Sequence, residues 1–146
     1  MTGETQAVFI VPVDYSHSLG QMIRTGQYDE ANGDINPKNF RLEGAGCRDV
    51  ELTLVQFSRA MAPLELVTLM EGRGYRPASI EELLALGRDQ RDLQRSIPIG
   101  ALGSGLRRNE RRYIPCLGGS ASVRNLTLVV IYRRWSNCYR FAFVKK

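Results

Sequence analysis

The chain has 146 residues, 43% of them hydrophobic and 24% charged, with a net charge of +5; that suits one domain burying about two-thirds of its unfolded surface and excludes a disordered or fibrous chain. No apolar run approaches the roughly 20 residues needed to cross a bilayer, and the polar N-terminus lacks the basic residues of a signal peptide. Cys47, Cys116 and Cys138 form no C-x-x-C pair and are odd in number, so neither an extracellular disulfide framework nor a zinc site is expected, and a cytoplasmic location is.

Residues 7–13 are apolar and β-branched with Pro12 near the end, which predicts a strand at a sheet edge or one ending at the proline. A short helix follows, capped by Ser16 or Ser18 and ending near Gly26, with Leu19, Met22 and Ile23 on its buried side. Residues 28–40, rich in Asp, Asn and Gly, predict a structured loop pinned by Ile35 and Phe40. Asp29, Glu30 and Asp34 lack the alternating acidic positions and closing Glu of a calcium loop. Residues 49–57 alternate, Val50, Leu52 and Leu54 against Glu51, Thr53, Val55 and Phe57, as a half-buried antiparallel strand does.

From Pro63 to Glu71 the residues Leu64, Leu66, Val67, Leu69 and Met70 predict a helix with a wide apolar arc, stopped by Gly72 and Gly74 in left-handed conformations. The segment 74–84 then writes a strand, a turn and a helix start. Pro77 keeps the preceding residues extended, and Ser79 with Glu82 forms a capping box. Ile80, Leu83, Leu84 and Leu86 face inward, Gly87 is placed to end the helix, and Glu81 and Glu82 complement its positive end. Residues 88–95 predict a polar connector pinned by Leu93, and 97–102 a buried strand. Strands are expected at 113–117, 123–131 and 138–144, with a turn at 118–120 and a closing hairpin loop at 133–137. In the last strand Tyr139, Phe141 and Phe143 share one face, and Cys138, Arg140, Ala142 and Val144 the other. The expected fold is a single α+β domain over 1–146, with two to three short helices on a mainly antiparallel sheet and a strand-rich C-terminal half.

Charge divides unevenly along that domain. Residues 1–87 carry 7 basic and 12 acidic side chains, whereas 88–146 carry 13 basic and 3 acidic ones. Such polarity points to a basic face suited to phosphates, an acidic partner or an anionic surface; since 17 of the 20 basic residues are Arg, a compositional preference for Arg accounts for it equally well.

From residue 13 onward the chain resembles a family of short uncharacterised bacterial proteins. The matching phrases are Val13-Asp14-Tyr15 with Ser18-Leu19, Gly26-Gln27-Tyr28-Asp29, the segment 74–86, Asp92-Leu93-Gln94-Arg95, residues 97–104 and Tyr139-Arg140-Phe141. More remotely, Gly74-Tyr75-Arg76-Pro77-Ala78-Ser79 with Glu82, Gly103-Ser104, Trp135 and the terminal Val144-Lys145 resemble the order of elements in bacterial C-type-lectin-like domains. That resemblance implies a scaffold that displays loops, and carries no activity across.

No catalytic grouping can be assigned from spacing. The single histidine, His17, stands between Ser16 and Ser18 at a helix start, and a carboxylate-only centre on Asp14, Asp29 or Asp34 competes with their ordinary use as turn caps. Gly100-Ala101-Leu102-Gly103-Ser104-Gly105 lacks the Gly-Lys-Ser/Thr of a phosphate loop and has no helix directly after it. The expected site is Arg107, Arg108, Arg111, Arg112 and Tyr113, joined by Arg133, Arg134 and Trp135, in two loops at strand ends. Guanidinium forks match phosphate oxygens, and the aromatic faces suit stacking. The competing reading has these arginines solvated or paired with Glu51, Glu65 or Glu71 of the acidic half. The expectation is a non-catalytic binding module without metal or cofactor, its partner a protein or small molecule; the alternative is an RNA- or single-stranded-DNA-binding accessory protein.

Overall fold

The computed structural model describes residues 4–59, 61–131 and 138–146. In chain order the elements are β1 (Thr5–Asp14), α1 (Leu19–Gly26), β2 (Glu30–Ala31), β3 (Cys47–Gln56), α2 (Pro63–Gly72), β4 (Tyr75–Pro77), α3 (Ile80–Asp89), α4 (Leu93–Ser96), β5 (Ile99–Gly100), β6 (Leu106–Arg108), β7 (Arg111–Gly119), β8 (Arg124–Val130) and β9 (Arg140–Lys145). The strands form one sheet in the order β1-β3-β9-β5-β7-β8-β2, with β4 added to β9 and β6 to β7. Among the described residues only β2 with β8 and β5 with β9 run parallel, so the α+β, mostly antiparallel architecture is as expected.

β1 is an edge strand, and its register shows how it holds Pro12. It pairs with β3 from Thr5 opposite Gln56 to Asp14 opposite Cys47. The N–H of Tyr15 continues the ladder by donating to the Gly46 carbonyl at 2.8 Å. Bonding alternates along an antiparallel strand, so the odd residues bond to β3 and the even ones turn their peptide groups to the free edge. Pro12, which has no N–H, is even, and its carbonyl accepts from the Arg88 guanidinium. The even side chains Val8 and Ile10 are exposed.

Both faces of the centre of the sheet are covered, while the even face of β1 stays open. On one, Val11 and Val13 of β1, Leu52 and Leu54 of β3 and Ala142 and Val144 of β9 pack against Leu19 and Met22 of α1 and Ile80, Leu83 and Leu84 of α3, with Ile35 and Phe40 pinning the loop as expected. On the other, Val55, Ile114, Cys116, Phe141 and Phe143 meet Leu66 and Met70 of α2. The C-terminal part of β3 is therefore buried on both sides, Thr53 and Val55 included, where alternation had suggested half-burial. The division of residues between the faces of β9 is the expected one.

The expected helix starts are present. Ser18 and Gln21 form a capping box on α1, and Ser79 and Glu82 one on α3. The stops differ. Gly74 alone takes the left-handed conformation after α2, at φ 90°, while Gly72 closes the helix itself. Gly87 lies inside α3, which runs on to Asp89. Leu64, placed in the α2 arc by sequence, is 78% exposed, because the buried stripe is the narrower Pro63, Leu66 and Met70. The connector 88–95 contains the start of the fourth helix, α4. The strand expected over 97–102 shrinks to Ile99–Gly100, since the chain then bends for the Gly103 N–H to reach the Ala78 carbonyl at 2.9 Å. The loop expected at 133–137 lies outside the described residues.

Candidate functional site

The arginines at 107–112 are a hairpin rather than a loop. β6 and β7 pair with Leu106 opposite Tyr113, Arg107 opposite Arg112 and Arg108 opposite Arg111. The two-residue turn puts Asn109 and Glu110 at φ 52° and 65°, the left-handed pair that tight hairpins require. Side chains alternate across a strand, so Arg108, Arg111 and Tyr113 share one face of the ribbon, and Arg107 and Arg112 share the other. Like charges directly opposite one another oppose pairing.

Two of the four guanidinium groups are tied down. Arg108 pairs with Asp34 at 3.0 Å, and Arg112 donates to the Leu102 carbonyl at 3.1 Å. Arg107 and Arg111 are exposed and have no ion pair among the described residues. Asn32, Asp34, Leu106, Arg108, Tyr113 and Leu128 line a cavity of about 180 Å³ beside the hairpin. Tyr113 is half-buried at its wall. Arg133, Arg134 and Trp135 lie outside the described residues; Ile131, just before them, donates its N–H to the Arg112 carbonyl at 2.8 Å.

Of the three acidic partners considered, Glu65 pairs with Arg59 at 3.4 Å. The other arginines of the basic half mostly serve the fold. Arg95 holds Asp92 at 3.0 Å, and Arg91 donates to the Thr25 and Gly26 carbonyls at 3.1 and 3.3 Å.

Arg124 is the extreme case, with 3% exposure. Its guanidinium donates to the carbonyls of Gly26 at 2.6 Å, Gln27 at 3.2 Å, Gly87 at 2.7 Å and Arg91 at 2.8 Å, and to Gln94 Oε1 at 3.2 Å. It thus meets the free carbonyls and negative dipole end of α1 and a carbonyl of the last turn of α3. The Tyr28 ring faces it at 4.9 Å, and burial pushes the Tyr28 phenol up to about 12. Neither Arg124 nor the Gln94 beneath it carries a sequence signal that separates it from the surface arginines and polar residues around it.

A second polar cluster sits where β1, β4 and α3 meet. The buried Glu82 carboxylate accepts from Arg76 at 2.9 and 2.7 Å, from the Tyr15 hydroxyl at 2.6 Å and from the Ser79 N–H at 2.9 Å. Burial alone would raise its pKa, but Arg76, Tyr15 and Ser79 together hold it below the usual carboxylate range. Tyr15 is pushed up to about 12 by burial and by the Glu82 carboxylate. Arg48 lies over the Tyr15 ring at 4.8 Å.

The carboxylates weighed as a catalytic centre are dispersed. Asp14 accepts from the Ser16 side chain and N–H, which with Cys47 bring its pKa to about 2. His17 meets the same carboxylate at 3.1 Å. The hydrogen bond to Asp14 raises the Cys47 thiol above its ordinary value, opposite to the activation a nucleophile needs. Asp29 accepts the Arg124 N–H at 2.7 Å, and Asp34 is held by Arg108. No group of three or more potential metal ligands forms among the described residues. Of the cysteines, Cys116 is buried and Cys47 and Cys138 are exposed.

No helix among the described residues is long and apolar enough to cross a membrane. Comparison with protein-family models, with curated proteins and with solved structures finds no match.

Proposed function

We propose that the protein is a non-catalytic binding module whose β6–β7 hairpin presents guanidinium groups and Tyr113 to an anionic partner. The observation carrying this reading is the direct opposition of four arginines on one narrow ribbon, an arrangement that costs pairing energy and gives Arg107 and Arg111 no internal ion pair among the described residues. An anion bound along the ribbon offsets that repulsion. The sheet behind it supplies a rigid display scaffold, in keeping with the resemblance to C-type-lectin-like domains.

A second reading, binding of RNA or single-stranded DNA, draws on Tyr113, which shares its ribbon face with Arg108 and Arg111 and so offers a stacking surface beside phosphate-binding groups. Fluorescence anisotropy across a salt series with a labelled single-stranded oligonucleotide and a labelled acidic peptide tests both. Arg107→Ala with Arg111→Ala should weaken binding of whichever anion is taken and, for the oligonucleotide, flatten the log K against log salt slope by about 1.4. Affinity that is unchanged by salt and by the double substitution removes the hairpin as the binding element.

A further inference from the structure

We infer that a second site, separate from the hairpin, lies at the start of α3 and takes the primary ammonium group of a small, amino-acid-sized ligand. Adjacent glutamates on α3 are both buried but are treated differently. Glu82 has a guanidinium, a phenol and an N–H around it at 2.6 to 2.9 Å. Glu81, with 2% exposure, accepts only the N–H groups of Glu43 at 3.4 Å and Gly44 at 3.2 Å and has no cation partner among the described residues. Both distances exceed the roughly 2.9–3.0 Å common for such bonds, and a carboxylate has about four acceptor sites. Buried carboxylates are ordinarily paired with a cation, so Glu81 holds unused acceptor capacity.

That capacity borders on space. A cavity of about 250 Å³ is lined by Glu81, Asn39, Phe40, Arg41, Glu43 and Ser104, among others. It lies below the roughly 300–1,000 Å³ of drug-sized sites, a size for a metabolite rather than a polymer. Of the lining residues Phe40 is buried, while Arg41 and Glu43 are exposed. The first N–H groups of α3 are already satisfied, that of Ile80 by Ser104 Oγ at 2.8 Å and that of Glu82 by Ser79 Oγ at 3.4 Å, and Glu81 and Glu82 themselves meet the positive end of the helix. Arg41 is the one cation among the lining residues, and no ion pair joins it to Glu81 among the described residues. An ammonium group brings three N–H donors and a charge to Glu81, with Glu43 as a second acceptor, and Arg41 is placed to receive a carboxylate on the same ligand.

The test is an amide-resolved NMR titration of the full chain with cadaverine, L-lysine and hexanoate. Cadaverine and L-lysine should shift the N–H signals of Glu43, Gly44 and Ser104, saturating at millimolar concentration, while hexanoate leaves them in place. Glu81→Gln keeps the side-chain length but loses the charge, and should weaken both amines about tenfold or more. Should that variant unfold, the exposed Glu43→Gln provides the charge-loss measurement, with a smaller weakening in the same direction. The site is overturned if neither amine moves these three signals, if hexanoate moves them equally, or if the folded charge variant binds the amines like the parent.

Discussion

Arg124 is a full charge placed where a hydrocarbon would ordinarily sit, and it is tolerated because four carbonyls and the Gln94 amide oxygen surround it. Lysine keeps the charge but has three donors on one atom and cannot span receptors on α1, α3 and α4 at once. Arg124→Lys should therefore cost about 3 kcal/mol or more, seen as a lower urea midpoint with an unchanged m-value. Gly87 belongs to the same assembly, since a Cβ there would run into the Tyr28 hydroxyl. Its position in the sequence resembles a helix stop, yet it is a spacer admitting an aromatic ring, a distinction that only the tertiary neighbour reveals. Glu81 and Glu82 pose the same difficulty. Their helix-start role was legible from Ser79 and the spacing, but the burial of Glu82 depends on Arg76 of β4 and Tyr15 just after β1, and Glu81 meets the Glu43 and Gly44 N–H groups of a distant loop.

Among the elements, the β6–β7 hairpin was hardest to read because its turn is Asn109-Glu110 rather than Asn-Gly, the pairing that usually announces such a turn. Glu110 holds φ 65° without the freedom of glycine, a conformation costing an ordinary residue about 1 kcal/mol. Glu110→Gly should accordingly raise the thermal midpoint by about 2–4 °C, measured by circular dichroism. A fall in the midpoint would mean that the carboxylate, at the turn of an arginine-rich ribbon, stabilises it more than its backbone strains it. β2 shows another limit, since two residues pairing with β8 leave no periodicity to detect. The α3 start was fully legible, as its capping box is a local interaction between residues three apart.

Across the whole molecule, charge sets the response to pH. Glu82 has a folded pKa below its unfolded value of about 4.3. Its contribution is present above that value and is lost as pH falls through the lower folded one. The urea midpoint should thus hold steady from neutrality to about pH 4 and decline below it, with a shallower decline in Glu82→Gln. Tyr15 acts at the other limit. Its folded value of about 12 makes its contribution complete below about 10 and lost as pH rises through the folded value. The mixed class and the polarity of charge between the halves were available from composition and periodicity. Strand order was not, because neighbours such as β3 and β9 are far apart in the chain and no local rule links them.

β9 lies in the interior of the sheet, against β3 along one side and against β5 and β4 along the other. During synthesis the edge pair β1–β3 and the group β5-β7-β8 emerge from the ribosome first, each with an open flank at the place β9 will occupy. The two strand groups become one hydrogen-bonded sheet only when β9 slots between them, so without residues 140–145 the sheet is split in two and its parts are held through α1 and α3.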